Sequence, residues 1–165
     1  MSGIVNSTGA RSGVIGTTVG SKVLQVISNS ASDAYSGSGN DFSDQSVDTP
    51  SGTIQLASAS NKVLIIFHLG SFSCGTDYIY FDFGRTCTGG LGTSTNVSGE
   101  PEGLGRVGIG SALVGYQMLH YMDAPGVAGT NIVYKLHYKN DDDSTSVLAG
   151  HANKKSTITL MEIAG

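Results

Sequence analysis

The chain has 165 residues, 13% of them charged, with a formal net charge of −4 and 24 glycines. Ordinary domains carry roughly 25% charged residues, and nucleic-acid binders need clustered Lys and Arg, whereas the nine basic residues here are scattered. One domain of this length buries a core without staples, and no apolar run reaches the ~18 residues of a membrane span. Neither nucleic acid nor a membrane is therefore an expected partner.

Residues Met1–Gly20 form a glycine-rich zone of their own, in which Ser2-Gly-Ile-Val5 recurs as Ser12-Gly-Val-Ile15. Five glycines disfavour a helix, and the isolated pairs Ile4, Val5 and Val14, Ile15 have no apolar face of their own to join. Two readings are open, a flexible tail or an arm that docks on another subunit. Burial of those four side chains is worth roughly 6–10 kcal/mol. Ordering costs about 1–2 kcal/mol per residue, so a docked arm also needs backbone hydrogen bonds, such as those of a partner's sheet edge.

From residue 21 onward, β-alternation and turn residues predict strands near Lys22–Ser28, Thr53–Ala57, Lys62–His68, Tyr78–Phe83, Leu104–Ile109, Leu113–Met122, Asn131–Lys139, Ser144–Leu148 and Thr157–Ile163. Turn signals separate them at Thr49-Pro50-Ser-Gly52, Gly89-Gly90, Glu100-Pro101-Glu-Gly103 and Pro125-Gly126. Two long Gly- and Ser-rich stretches, Asn29–Ser43 and Thr88–Gly103, read as variable surface loops. Many short strands without helices imply an all-β, antiparallel two-sheet architecture over residues 21–165, with a jelly roll as the obvious form.

Two strands are apolar on both faces. Leu113–Met122 places Leu113, Leu119 and Tyr121 on one side and Val114, Tyr116, Met118 and Met122 on the other. Lys62–His68 carries Val63, Leu64, Ile65, Ile66 and Phe67 in succession. A sandwich strand in a monomer alternates inside and outside, so a second apolar face calls for a second cover, either a subunit interface or a long loop. The candidate interface residues are Leu113, Tyr116, Met118, His120 and Met122. His120 there is read as a hydrogen-bonded interface histidine, or as one of three copies meeting on an axis around an ion.

The remaining chemistry-bearing residues form no specific catalytic pattern. Gly103-Leu-Gly105-Arg-Val-Gly108 matches a dinucleotide fingerprint, but the following Val107-Gly-Ile-Gly shows no helical signal, and glycines of a tightly packed strand explain it better. Asp141-Asp-Asp143 lacks the spaced ligands and distal Glu of a calcium loop and reads as a solvated turn. No Gly-x-Ser-x-Gly elbow marks a nucleophile, and nothing fixes a separation between Asp82 and Glu162. Among the four histidines, His68, His120, His137 and His151, no zinc spacing occurs. Cys74 and Cys87 bracket the strand Tyr78–Phe83, either as two buried thiols or as a bridge between neighbouring strands. The expectation is a non-enzymatic protein without metal or cofactor.

The final forty-five residues carry a resemblance. They run Tyr121-Met-Asp-Ala-Pro-Gly126, then Thr130-Asn-Ile-Val-Tyr-Lys-Leu-His-Tyr-Lys139, the acidic turn, and Ser156-Thr-Ile-Thr-Leu-Met-Glu-Ile163. This ending resembles the C-terminal strands of small jelly-roll head domains on virion-surface proteins of tailed bacteriophages, including capsid decoration proteins and tail-fibre tips. Lys22–Val26, Ser58–Ile65 and the glycine-rich start are similar to such proteins more loosely, and 66–115 is not. The resemblance implies a homotrimer on the virion exterior, made in the host cytoplasm, with Ile4, Val5, Val14 and Ile15 attaching it to the major capsid protein or another virion protein. Within that family a fibre needs a shaft, and the absence of heptads or repeats favours decoration or cement over a tail-fibre tip. A carbohydrate-binding module is the rival class, disfavoured by the lack of Trp.

Overall fold

The computed structural model describes residues 22–33, 35–37, 39–43, 46–74, 77–88, 92–109, 113–141, 147–149 and 154–165, with the backbone alone at 36, 73–74, 77, 109, 113–115 and 147–149. The described residues form eleven strands and no helix: β1 (Val23–Ala31), β2 (Tyr35–Gly37), β3 (Ser46–Ile54), β4 (Lys62–Cys74), β5 (Asp77–Cys87), β6 (Gly92–Ser94), β7 (Gly105–Ile109), β8 (Leu113–Asp123), β9 (Ile132–Asn140), β10 (Val147–Ala149) and β11 (Ser156–Ile163). They make two antiparallel sheets that pack as a sandwich. The six-stranded sheet runs β1-β11-β4-β8, with the short β2 and β10 continuing the rows of β1 and β11 beside the far end of β4. The five-stranded sheet runs β3-β9-β5, and β7 and β6 share the remaining edge of β5.

The pairings nest. β5 pairs with β7, β4 with β8, β3 with β9 and β1 with β11, so the chain is one long antiparallel ribbon doubled back after β5 and rolled into two layers. Strand alternation supplies the core between them. Val63, Ile65 and Phe67 of β4 and Ile158 and Leu160 of β11 face Phe81 and Phe83 of β5 and Ile132, Tyr134, Leu136 and Tyr138 of β9, all fully buried. The period-two pattern of β9 predicts that buried row.

Three local corrections to the sequence reading have physical reasons. Thr49-Pro50-Ser-Gly52, expected as a turn, lies inside β3, where the register shifts between Val47 and Gly52 and the Thr49–Pro50 peptide is cis. An edge strand tolerates Pro because one row of its backbone groups needs no partner strand. β4 continues through Gly70 to Cys74, and only Gly fits at 70, since a Cβ there would lie 2.4 Å from the Lys155 carbonyl oxygen. The two expected loops hold the end of β1, all of β2 and all of β6. Gly105–Ile109 is strand β7, not the helix that a dinucleotide site requires. Gly126 takes φ +71°, as the Pro-Gly pair predicts.

Candidate functional site

The two sheets present very different outer faces. On the five-stranded sheet, the outward side chains of β5 and β9 are roofed by the chain's own loops. Asp82 is fully buried, and its carboxylate accepts from the backbone N–H groups of Phe83 (2.6 Å), Val97 (3.1 Å) and Ser98 (3.3 Å) and from the Ser98 hydroxyl. Burial pushes its pKa up, and those donors oppose the rise without cancelling it. Its cross-strand neighbour His137 is buried beneath Phe42, with Nδ1 2.6 Å from the Phe42 carbonyl oxygen. The ring lies so close over Gly84 that a Cβ there would sit 2.1 Å from Nε2. Burial holds the imidazole pKa below its ordinary value.

Beside this roof, cations and aromatic rings alternate. The Lys139 ammonium sits 5.0 Å from the Phe42 ring and 5.4 Å from that of Tyr80, and the Arg106 guanidinium lies 4.6 Å over Tyr78. Lys139 and Phe42 also line an open hollow of ≈300 Å³ with Asp41, Thr95, Asn96 and Pro101.

The other buried acids are equally committed. Glu162, on the inner face of β11, accepts from the side chains of Asn61 (2.6 Å) and Gln25 (2.8 Å) and the Ala57 N–H (2.7 Å). Burial raises its pKa, but the three donors outweigh that and leave it below the usual glutamate range. Both carboxylate oxygens of Asp123 accept from Arg85 Nη1 (2.8 and 2.6 Å), one also accepts from the Tyr134 hydroxyl at 2.6 Å, and burial first, then that carboxylate, drives the phenol pKa far up. Asp82 and Glu162 thus lie on different sheets, each holding a loop in place. Among the described residues no cluster of three His, Cys, Asp or Glu is placed to hold a metal.

The outer face of the six-stranded sheet has no such roof among the described residues. Registry places Val26, Met161, Leu64 and Met122 side by side across β1, β11, β4 and β8, an apolar row spanning the sheet. The next row, Ser28, Thr159, Ile66 and His120, is more polar, and the third ends in Met118. Met118 is 65% exposed, Tyr116 64%, Val26 55% and Val23 54%. The face carries almost no charge, only Lys62 of β4 lying at its margin.

Of the residues read from sequence as an interface, Tyr116, Met118, His120 and Met122 therefore share one exposed face, while Leu119 is buried and Tyr121 partly buried on the other side. Leu113 is placed by its backbone alone, at the start of β8 opposite Cys74. Ile4, Val5, Val14 and Ile15 lie outside the described residues, as do His151 and Asp142–Asp143. The sequence reading missed Val23, Leu24, Val26 and Met161. The signal for the first three was the uncharged run Val23-Leu-Gln-Val-Ile27, apolar at positions of both parities.

Cys87 is a buried free thiol at the far end of β5. β5 advances about 3.3 Å per residue over its eleven residues, while Cys74 stands only three residues before its start. The two α-carbons are therefore far beyond the ~7 Å limit for a bridge within one chain.

Comparison with protein-family models and with curated proteins finds no match to the chain. The candidate site rests on its own geometry.

Proposed function

We propose that this chain is a non-enzymatic structural protein of a bacteriophage virion, a homotrimeric capsid decoration or cement protein of jelly-roll form. The observation that carries the reading is the uncharged, half-apolar face formed by Val26, Met161, Leu64, Met122, Met118 and Tyr116. A face of this kind in an otherwise well-packed sandwich is a subunit contact. Nesting of the four strand pairs into one rolled ribbon supports the jelly-roll form. Full engagement of Asp82, Asp123 and Glu162 in structural hydrogen bonds supports a role without catalysis.

In this reading the trimer contact includes Tyr116, Met118, His120 and Met122, with Leu113 at its margin. Ile4, Val5, Val14 and Ile15 attach the protein to the coat lattice. Immunogold labelling of virions with antibody to this chain tests it. Gold over the head is the expected result, gold at the tail tip supports the fibre-tip alternative, and unlabelled virions overturn both.

A second reading has one observation in its favour. Tyr78 is 40% exposed under Arg106, and the hollow at Lys139 and Phe42 is of a size for a sugar residue. A glycan array decides it, since a cement protein gives no signal there.

A further inference from the structure

We propose that copies of this chain join through the two edges of the six-stranded sheet, β8 of one copy pairing antiparallel with β1 of the next. The inference rests on the homotrimer reading and supplies the mate of the β8 edge.

An unpaired edge strand is a template for another strand, and proteins that do not pair their edges guard them. Both edges of the five-stranded sheet are guarded. β3 carries Pro50, a register shift and the exposed Asp48. Several backbone groups along it are taken by side chains of the opposite sheet: Asn29 donates to the Ser51 carbonyl (2.8 Å), Gln25 donates to that of Gln55, and the Thr49 N–H donates to the Tyr35 hydroxyl (2.9 Å). At the opposite edge β6 and β7 have three and five residues, with the exposed Arg106 on β7. The backbone between them is closed by Val97 and Leu104, whose N–H groups donate to the Phe83 and Phe81 carbonyls (2.9 and 2.8 Å).

The edges of the six-stranded sheet have no proline and no exposed charge, and the register shifts they carry lie between Val23 and Gln25 of β1 and where Gln117 and Gly115 of β8 meet β4, leaving the rest of each ladder regular. β1 is nine residues long and contains neither a charge nor a proline. β8 is eleven residues long, and its one acid, Asp123, is buried against Arg85. Among the described residues β1 pairs only with β11, and β8 only with β4.

These two edges fit each other. β1, β11, β4 and β8 alternate in direction, so β1 and β8 run oppositely. Rotation about an axis along the strands preserves strand direction, so a neighbour's β1 arrives antiparallel to β8. The lengths match to within two residues. Joining also continues the apolar surface across the seam, because exposed Val23 and Val26 stand at one edge and Met118 and Met122 at the other. A two-fold pairing of β8 with itself would leave Val23, Leu24 and Val26 in water. A head-to-tail joint covers both edges and closes as a ring.

The test uses the full chain and two variants, Val26→Glu and Met118→Glu. Both side chains are more than half exposed, so each variant folds, as circular dichroism will check. Light scattering is expected to give three chains for wild type and one for each variant. An equimolar mixture of the variants should give two, since the first retains an intact β8 and the second an intact β1. A Val26→Glu protein that keeps the trimer mass, or a mixture that stays monomeric, overturns the edge joint and leaves the trimer reading standing. A monomeric wild type overturns both. Hydrogen exchange on wild type gives an independent reading: amides of β1 and β8 should be slow in concentrated protein and fast on dilution. Equal rates in β1 at both concentrations overturn the joint.

Discussion

The outer faces of the two sheets meet the same problem in opposite ways. Over the five-stranded sheet, residues 39–43 and 95–104 fold back, so Phe42 caps His137 and Ser98 caps Asp82. Over the six-stranded sheet nothing described folds back, and Met118, Tyr116 and Val26 face outward. A roofed face can hold buried ionisable groups because the roof supplies their hydrogen bonds. A bare face must stay uncharged if another surface is to cover it without stranding a charge. Composition follows the roof: polar residues with dedicated partners lie beneath it on one face, and Met, Val and Leu stand on the other.

The contrast is sharpest at Phe42. Phe42 is 4% exposed, its carbonyl meets the His137 ring and its own ring lies against the Lys139 ammonium. Phe42→Ala should cost about 3–5 kcal/mol in urea unfolding, the range for truncating a buried aromatic. A loss under 1 kcal/mol would show that the roof is dispensable and the two faces are alike.

Acid should reveal the same roof with a smaller effect. His137 lies among Asp82 on β5, Asp48 on β3 and Lys135 on its own strand, and burial lowers its pKa in the folded protein. A group with a lowered folded pKa contributes stability above its unfolded value of about 6.5 and loses it as pH falls toward the folded one. The melting temperature should therefore fall between pH 7.5 and 5.5, and His137→Gln should flatten the slope. Asp82, whose pKa burial raises, works in the opposite direction, gaining stability as pH falls through its folded pKa. A wild-type profile as flat as the variant's would place His137 in water.

The smallest expected effect is on the bare face. Met118→Ser should change the unfolding free energy of dilute protein by no more than about 0.5 kcal/mol, as for most surface positions. The same substitution should weaken self-association in light scattering. A loss of 2 kcal/mol or more in the dilute protein would mean that Met118 packs within its own subunit.

Much of this was legible in the chain because strand periodicity is local. Ile132, Tyr134, Leu136 and Tyr138 declared a buried row, and the mixed parity of Leu113–Met122 declared a strand with two apolar faces. β3 was misplaced because Pro50 and Gly52 are turn residues wherever no partner strand is known. The end of β4 was missed because the constraint on Gly70 comes from Lys155, eighty-five residues away. Nothing local could show that Phe42 roofs His137 or that Asn29 and Gln25 close the edge of β3, since those contacts join segments far apart in sequence.

The nested ribbon also sets a timetable. Among the described residues β1 forms its ladder only with β11, pairing Val26 with Met161, and β11 lies between β1 and β4. On a ribosome β1 emerges long before β11 and must wait for more than a hundred residues before its neighbour exists. Such distant pairing makes folding slow. Through that interval an uncharged apolar strand stands unprotected, so the nascent chain is most vulnerable to aggregation just before β11 is made, and a chain stopped short of Ser156 has no six-stranded sheet to close.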